Sequence, residues 1–217
     1  MKNVFDVDNK LFSGMTKIWD LFVVDFLWII TVLAFFGPAC TALYYTTVKN
    51  IRKSRGYTAQ TYFHAFKTNF KQAAILGILQ IVIVVGLVVG YQFAISMDES
   101  SYIGQVYFWV IILQAVLFAM VSVYIYPVLS RFDMKIGGIL KLSLFMAFRH
   151  LPTTIYGVLG VVGVLMCWEY IFLTPIVLIA PAIYVLILSL LMEKALRNYM
   201  PKKEDQSETE QQAWYYE

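Results

Sequence analysis

The chain has 217 residues, of which 60% are hydrophobic and only 14% charged, with a formal net charge of +3. Soluble domains carry about 25% charged residues, so this composition excludes an ordinary soluble domain. The modest positive balance gives no footing for nucleic acid as a partner.

The first segment, Met1–Trp19, sets Lys2, Lys10 and Lys17 beside Asp6, Asp8 and Asp20, so its charges nearly cancel. An apolar run follows over Leu21–Val48, interrupted only by Asp25. It exceeds the apolar core of about 7–15 residues found in a cleaved signal peptide, and acidic residues precede it. An uncleaved first span is therefore expected, kinked at Pro38. If Met1–Trp19 stayed inside, this run would have to turn back on itself near Gly37-Pro38. Roughly 28 residues are too few for two crossings of about 20 each, so a single crossing is expected.

From Thr58 to Lys71 the apolar residues Ala59, Tyr62, Phe63, Phe66 and Phe70 recur at helical spacing, with Gln60, His64, Lys67 and Lys71 opposite. Thr58 is read as the N-cap. The pattern predicts an amphipathic helix at the membrane surface, its aromatics in the acyl boundary and its lysines toward anionic headgroups. The alternative is a docking helix for a partner protein. Tyr62, Phe63, Phe66, Lys67, Phe70 and Lys71 are the candidate contacts under either reading.

Four further runs carry no charge: Ala73–Ile95, Val106–Ser130, Thr153–Trp168 and Tyr170–Met192. The third is short and takes Leu151 and Pro152 at its start, where proline is accepted in a first helical turn. Between them, Ile136–Phe148 is a weaker amphipathic segment. The tail from Lys202 to Glu217 is polar and acidic and should be disordered.

The fold class expected is all-α, a polytopic membrane helix bundle with about five transmembrane helices and an amphipathic cytoplasmic helix. Residues 1–201 form one membrane domain with spans near 21–43, 73–95, 106–130, 151–168 and 170–192, and 202–217 form the tail. All basic residues except Lys2, Lys10 and Lys17 fall in the Lys49–Lys71 loop, the Arg131–His150 loop or the C-terminal end. The Ser96–Gln105 loop holds none, and the turn between the last two spans holds only Glu169. Positive residues mark the cytoplasmic side. Five spans then leave the C-terminus inside and the N-terminus outside a bacterial cell membrane.

Catalytic chemistry finds little support. His64 and His150 belong to no metal-spaced cluster, and there is no phosphate-binding GxxxxGK[ST] loop or GxSxG elbow. No enzyme activity, metal or cofactor is expected. Cys40 and Cys167 fall near opposite ends of their spans, too far apart to bridge. Asp25 is the one carboxylate within an apolar run and the candidate intramembrane polar site. Its expected place is near the outer interface, satisfied by water or a polar neighbour. Proline breaks at Pro127, Pro175 and Pro181 are read as packing kinks. Glycines such as Gly77, Gly86, Gly157 and Gly160 are read as close helix contacts.

The segment Gly37-Pro38-Ala39-Cys40-Thr41-Ala42-Leu43-Tyr44 resembles the "GPA-x-TAL" segment of the YesL family of small bacterial membrane proteins of undetermined function. Asn69-Phe70-Lys71-Gln72 is similar to the family's second segment, and the length and span plan are similar too. Gly37, Pro38, Ala39, Thr41, Ala42, Asn69, Phe70, Lys71 and Gln72 are the residues that carry the likeness. Asp25 departs from the asparagine usual before the Leu-Trp pair. The resemblance implies an accessory membrane component beside carbohydrate ABC-type uptake systems, with transporter subunits and the lipid bilayer as partners. A small solute transporter or channel built on the proline-broken bundle is the alternative.

Overall fold

The computed structural model describes residues 10–52, 57–97, 102–170, 179–196 and 199, without the side chains of 10–14 and 167–170. Lys53, Arg55, Asp98, Glu99, Thr174, Pro175, the side chains of Cys167 and Glu169, and the acidic tail lie outside the described residues. Every element is a helix: α1 (Lys10–Val32), α2 (Phe36–Thr46) with a π-helical continuation (Thr47–Arg52), α3 (Thr58–Thr68), α4 (Phe70–Ser96), α5 (Tyr102–Leu129), α6 (Ile136–Arg149), α7 (Leu151–Tyr170) and α8 (Ala180–Leu196). No strand occurs among the described residues, and the all-α expectation holds.

Helices α4 and α5 have 27 and 28 residues. At about 1.5 Å per residue each reaches about 40 Å, more than the hydrocarbon core of about 30 Å. They pack side by side near their connection, where Phe93 meets Tyr107 edge-on at 5.7 Å between ring centroids. Helix α4 buries only Ala73, Leu76, Gly77, Gln80, Gly90 and Ala94. Ile78, Val82 and Val89 on its other faces are 59–63% exposed. An apolar surface this continuous is stable only against lipid. Helices α6 and α7 meet at His150 with a bend of 103°. The described residues thus supply two helices long and apolar enough to cross a membrane, or three if that bent pair is one span.

The first apolar run is divided. Helix α1 stops at Val32, and α2 starts at Phe36. The chain reverses between them, because residues near its two ends share one partner. The Thr58 hydroxyl donates to Asp20 Oδ1 at 2.6 Å and accepts from Asn50 Nδ2 at 3.5 Å. Helix α1 also lies against both α2 and the π-helical segment. The stretch 21–43, expected as one kinked span, is two antiparallel helices.

The reason lies in Gly37-Pro38. Pro38 sits in the first turn of α2, where a missing N–H costs nothing and its fixed φ suits the helix. It therefore begins a helix instead of kinking one. A Cβ on Gly37 would lie 1.9 Å from the Ala73 carbonyl oxygen, and one on Gly77 would lie 2.8 Å from the Gly37 nitrogen. The α2 backbone thus rests directly on α4, a contact that only glycine permits. Gly157 and Gly160 do the same for Val123 and Tyr184, whereas Gly86 faces open space and makes no helix contact. Pro152 and Pro181 each fall in the first turn of a helix, so Pro181 is not a mid-span kink.

Candidate functional site

The most concentrated polar chemistry lies where α2, α5 and α8 converge. Arg131 follows α5 and is 3% exposed; Glu193, in the last turn of α8, is 8% exposed. Arg131 Nε donates to Glu193 Oε1 at 2.9 Å, and Nη2 donates to the same oxygen at 2.5 Å. The Tyr44 hydroxyl of α2 adds a third donor at 3.2 Å. Arg52, ending the π-helical segment, donates from Nη1 to the Ser189 carbonyl of α8 at 2.8 Å. A carboxylate near a helix C-terminus meets the negative end of the helix dipole. The guanidinium offsets that repulsion, and low dielectric makes the pairing strong once formed. With three donors on Oε1, Glu193 joins α8 to α2 and to the end of α5.

Sequence reasoning counted Arg131 only as a loop cation and passed over Glu193. The available signal was a cation just after one apolar run and an acid just after another.

Asp25 occupies a different joint. It is fully buried within the protein. Its Oδ2 accepts the Ala182 N–H at 3.0 Å. Ala182 lies in the first turn of α8, whose N–H groups have no partner within the helix. Asp25 thus caps α8 from another helix, at the positive end of its dipole. Of the two partners expected for Asp25, water or a polar neighbour, the structure supplies a polar neighbour, the Ala182 N–H.

The helix expected over Thr58–Lys71 ends at Thr68, with Phe70 and Lys71 opening α4, and its residues divide between two faces. Tyr62 is fully buried and its hydroxyl shares a 2.6 Å hydrogen bond with Thr31 of α1. Phe66 and Phe70 pack edge-on against Phe35, at 6.3 and 5.0 Å between ring centroids. Tyr62 thus faces the protein, while Phe66 and Phe70 are half-buried. Phe63, Lys67 and Lys71 are exposed. Thr58 is the first residue of α3, and its hydroxyl is given to Asp20 instead of capping.

The other nominated residues are structural in placement. Gly37, Pro38, Ala39, Thr41 and Ala42 are all buried in α2, and Thr41 Oγ1 donates to the Gly37 carbonyl at 3.0 Å. Asn69 is the joint between α3 and α4, its Nδ2 donating to the Ala65 carbonyl at 3.3 Å; Gln72 is half-buried in the next turn. Within the spans, Tyr126 of α5 donates its hydroxyl to Gln80 of α4. No group of three His, Cys, Asp or Glu side chains able to hold a metal occurs among the described residues.

A family model described as "Protein of unknown function, DUF624" matches residues 19–91, from α1 through most of α4. Over 211 residues the chain is 29% identical to "Uncharacterized protein YesL" of Bacillus subtilis (strain 168), covering 94% of this chain and 98% of that protein. The chain is thus similar to YesL over nearly the whole length of both proteins. No solved structure matches it. The stretch matched by the family model holds the α1–α2 reversal, the Gly37–Gly77 contact and the Asn69 joint. In this YesL-like chain the two recognisable segments are therefore the two ends of one packing arrangement around the start of α4.

Proposed function

We propose that this YesL-like protein is a non-catalytic accessory component of the bacterial cell membrane, working beside a carbohydrate ABC-type uptake system. The observation that carries the reading is the use made of buried polar groups. Arg131, Glu193, Tyr44, Arg52, Asp25, Tyr126 and Gln80 are bonded from one helix to another. Such groups stiffen a scaffold, whereas a solute path would leave them facing an opening. The association with carbohydrate uptake rests on the family resemblance. The exposed face of α3, with Gln60, Phe63, His64 and Lys67, together with Lys71 in the first turn of α4, is the proposed docking surface.

The same reading includes a topology. The α1–α2 pair is a re-entrant hairpin, and the crossings are α4, α5, α7 and α8. This returns both chain ends to the cytoplasmic side. It is supported by charge, since Lys2, Lys10 and Lys17 then join the other basic residues and all 17 lie inside.

Photo-crosslinkers placed at Gln60 and His64 in native membranes test the docking. The expected product contains a transporter subunit. Absence of any such product, together with solute flux through liposomes holding the purified protein alone, would replace the accessory reading with a transporter.

A further inference from the structure

Helix α6 carries a face that neither the buried joints nor the family resemblance explains. It buries Ile139, Ser143, Met146 and Ala147 against the bundle. On the opposite side Lys141, Leu144, Phe145 and Phe148 recur at the spacing that places residues on one helical face. Arg149 follows directly. Leu144, Phe145 and Phe148 are 49%, 54% and 53% exposed. These five residues line an open groove of about 530 Å³.

The groove is held in place by its surroundings. The 103° bend at His150 turns α6 across the direction of α7, and α6 packs along α5, a membrane-crossing helix. The His150 carbonyl accepts from the Tyr124 hydroxyl at 3.3 Å and from Thr154 Oγ1 at 3.0 Å. Tyr199 packs nearby, its ring edge-on to Phe145 at 5.9 Å and its hydroxyl 3.3 Å from His150 Nε2.

The chemistry of the lining selects its occupant. Lys141 and Arg149 are eight positions apart, about 12 Å along a helix. They stand at the two ends of an apolar, aromatic floor. Helix α6 has no acidic residue, and neither cation is ion-paired to any described residue. Free inorganic phosphate would use the cations and leave the aromatic floor uncovered. A neutral lipid would cover the floor and leave the cations unpaired. We propose that the α6 groove binds anionic phospholipid, a headgroup phosphate held at either end by Lys141 or by Arg149 and the acyl chains lying on Leu144, Phe145 and Phe148 between them. A helix crossing the end of a membrane bundle meets such lipids at headgroup depth.

The test uses the full chain purified in detergent, with fluorescent phosphatidylglycerol or phosphatidylcholine as probe. The wild-type protein should bind phosphatidylglycerol at least tenfold more tightly than phosphatidylcholine. Lys141→Gln with Arg149→Gln should lower that affinity roughly 25-fold, a factor of about five per cation. Phe145→Ala should weaken both lipids alike. Lys17→Gln with Lys194→Gln, on exposed positions of α1 and α8 outside the groove, should leave the affinities unchanged. All substituted positions are exposed, so thermal midpoints should stay at the wild-type value and loss of binding is not loss of fold. Equal affinity for the two lipids, or an unaltered affinity in the α6 double variant, would overturn the proposal. So would displacement by millimolar inorganic phosphate with no effect of Phe145→Ala, which would mark a bare anion site.

Discussion

Glu193 is the side chain whose removal should cost this protein most. Its Oε1 takes two donors from Arg131 and one from Tyr44, and Arg131 is only 3% exposed. Replacing Glu193 by alanine leaves a guanidinium buried without its counter-charge, a loss of about 3–5 kcal/mol. For a chain of this size each kcal/mol is worth about 2–4 °C in thermal midpoint, so a fall of about 10 °C is expected. Arg131→Met combined with Glu193→Leu removes both charges together and should regain most of that loss, because the desolvation of two ions disappears with their attraction. Tyr44→Phe should cost about 1.5 kcal/mol, the lower end for a bond to a charged group, since 3.2 Å is long for a hydroxyl donor. Fluorescence-detected size exclusion after a temperature series, in one detergent, reads all three. A wild-type midpoint for Glu193→Ala, or a double variant no better than the single, would refute the reasoning that the pair is a buried, mutually compensating joint.

The other joints give smaller and distinct signatures in the same assay. Gly37→Ala sets a methyl 1.9 Å from the Ala73 carbonyl oxygen and must push α2 off α4, at a cost of at least about 1–3 kcal/mol; Gly86→Ala, in open space, should be neutral. Asp25→Ala removes the cap on Ala182 and should cost about 1–2 kcal/mol, while Asp25→Asn keeps an acceptor oxygen and should lose much less. Tyr126→Phe frees Gln80 inside the bilayer and should cost about 0.6 kcal/mol, the average for such bonds between membrane helices.

Much of the architecture was legible in the residues, in proportion to how local its cause was. Helices α4 and α5 follow from long apolar runs alone, and Pro152 opens α7 as its type suggests. The first run misled because proline both starts and kinks helices, and what decides between those roles is the seat of Gly37 on Ala73 and Gly77, a contact with another helix. Periodicity in α3 revealed an apolar face, but Tyr62 and Phe66 would recur at the same spacing whether lipid or protein covered them. The partner of Asp25 could not be read from its own run, because the donor is a backbone N–H 157 residues away. Arg131 and Glu193 stand 62 residues apart, each at the end of an apolar stretch, where charge ordinarily reports only topology.

The reversal of the chain between α1 and α2 underlies the packing, the placement of Asp25 and the proposed topology. It is tested most directly by Asp20→Cys with Thr58→Cys in a background with the native cysteines replaced, oxidised in intact membranes. The side chains at these positions touch at 2.6 Å, so rapid formation of an intramolecular disulfide is expected. A first segment that crossed the membrane once would set residue 20 about 30 Å from residue 58, on the opposite face. Two free thiols that stay unlinked, with only one of them reached by an impermeant reagent from outside, would contradict the account.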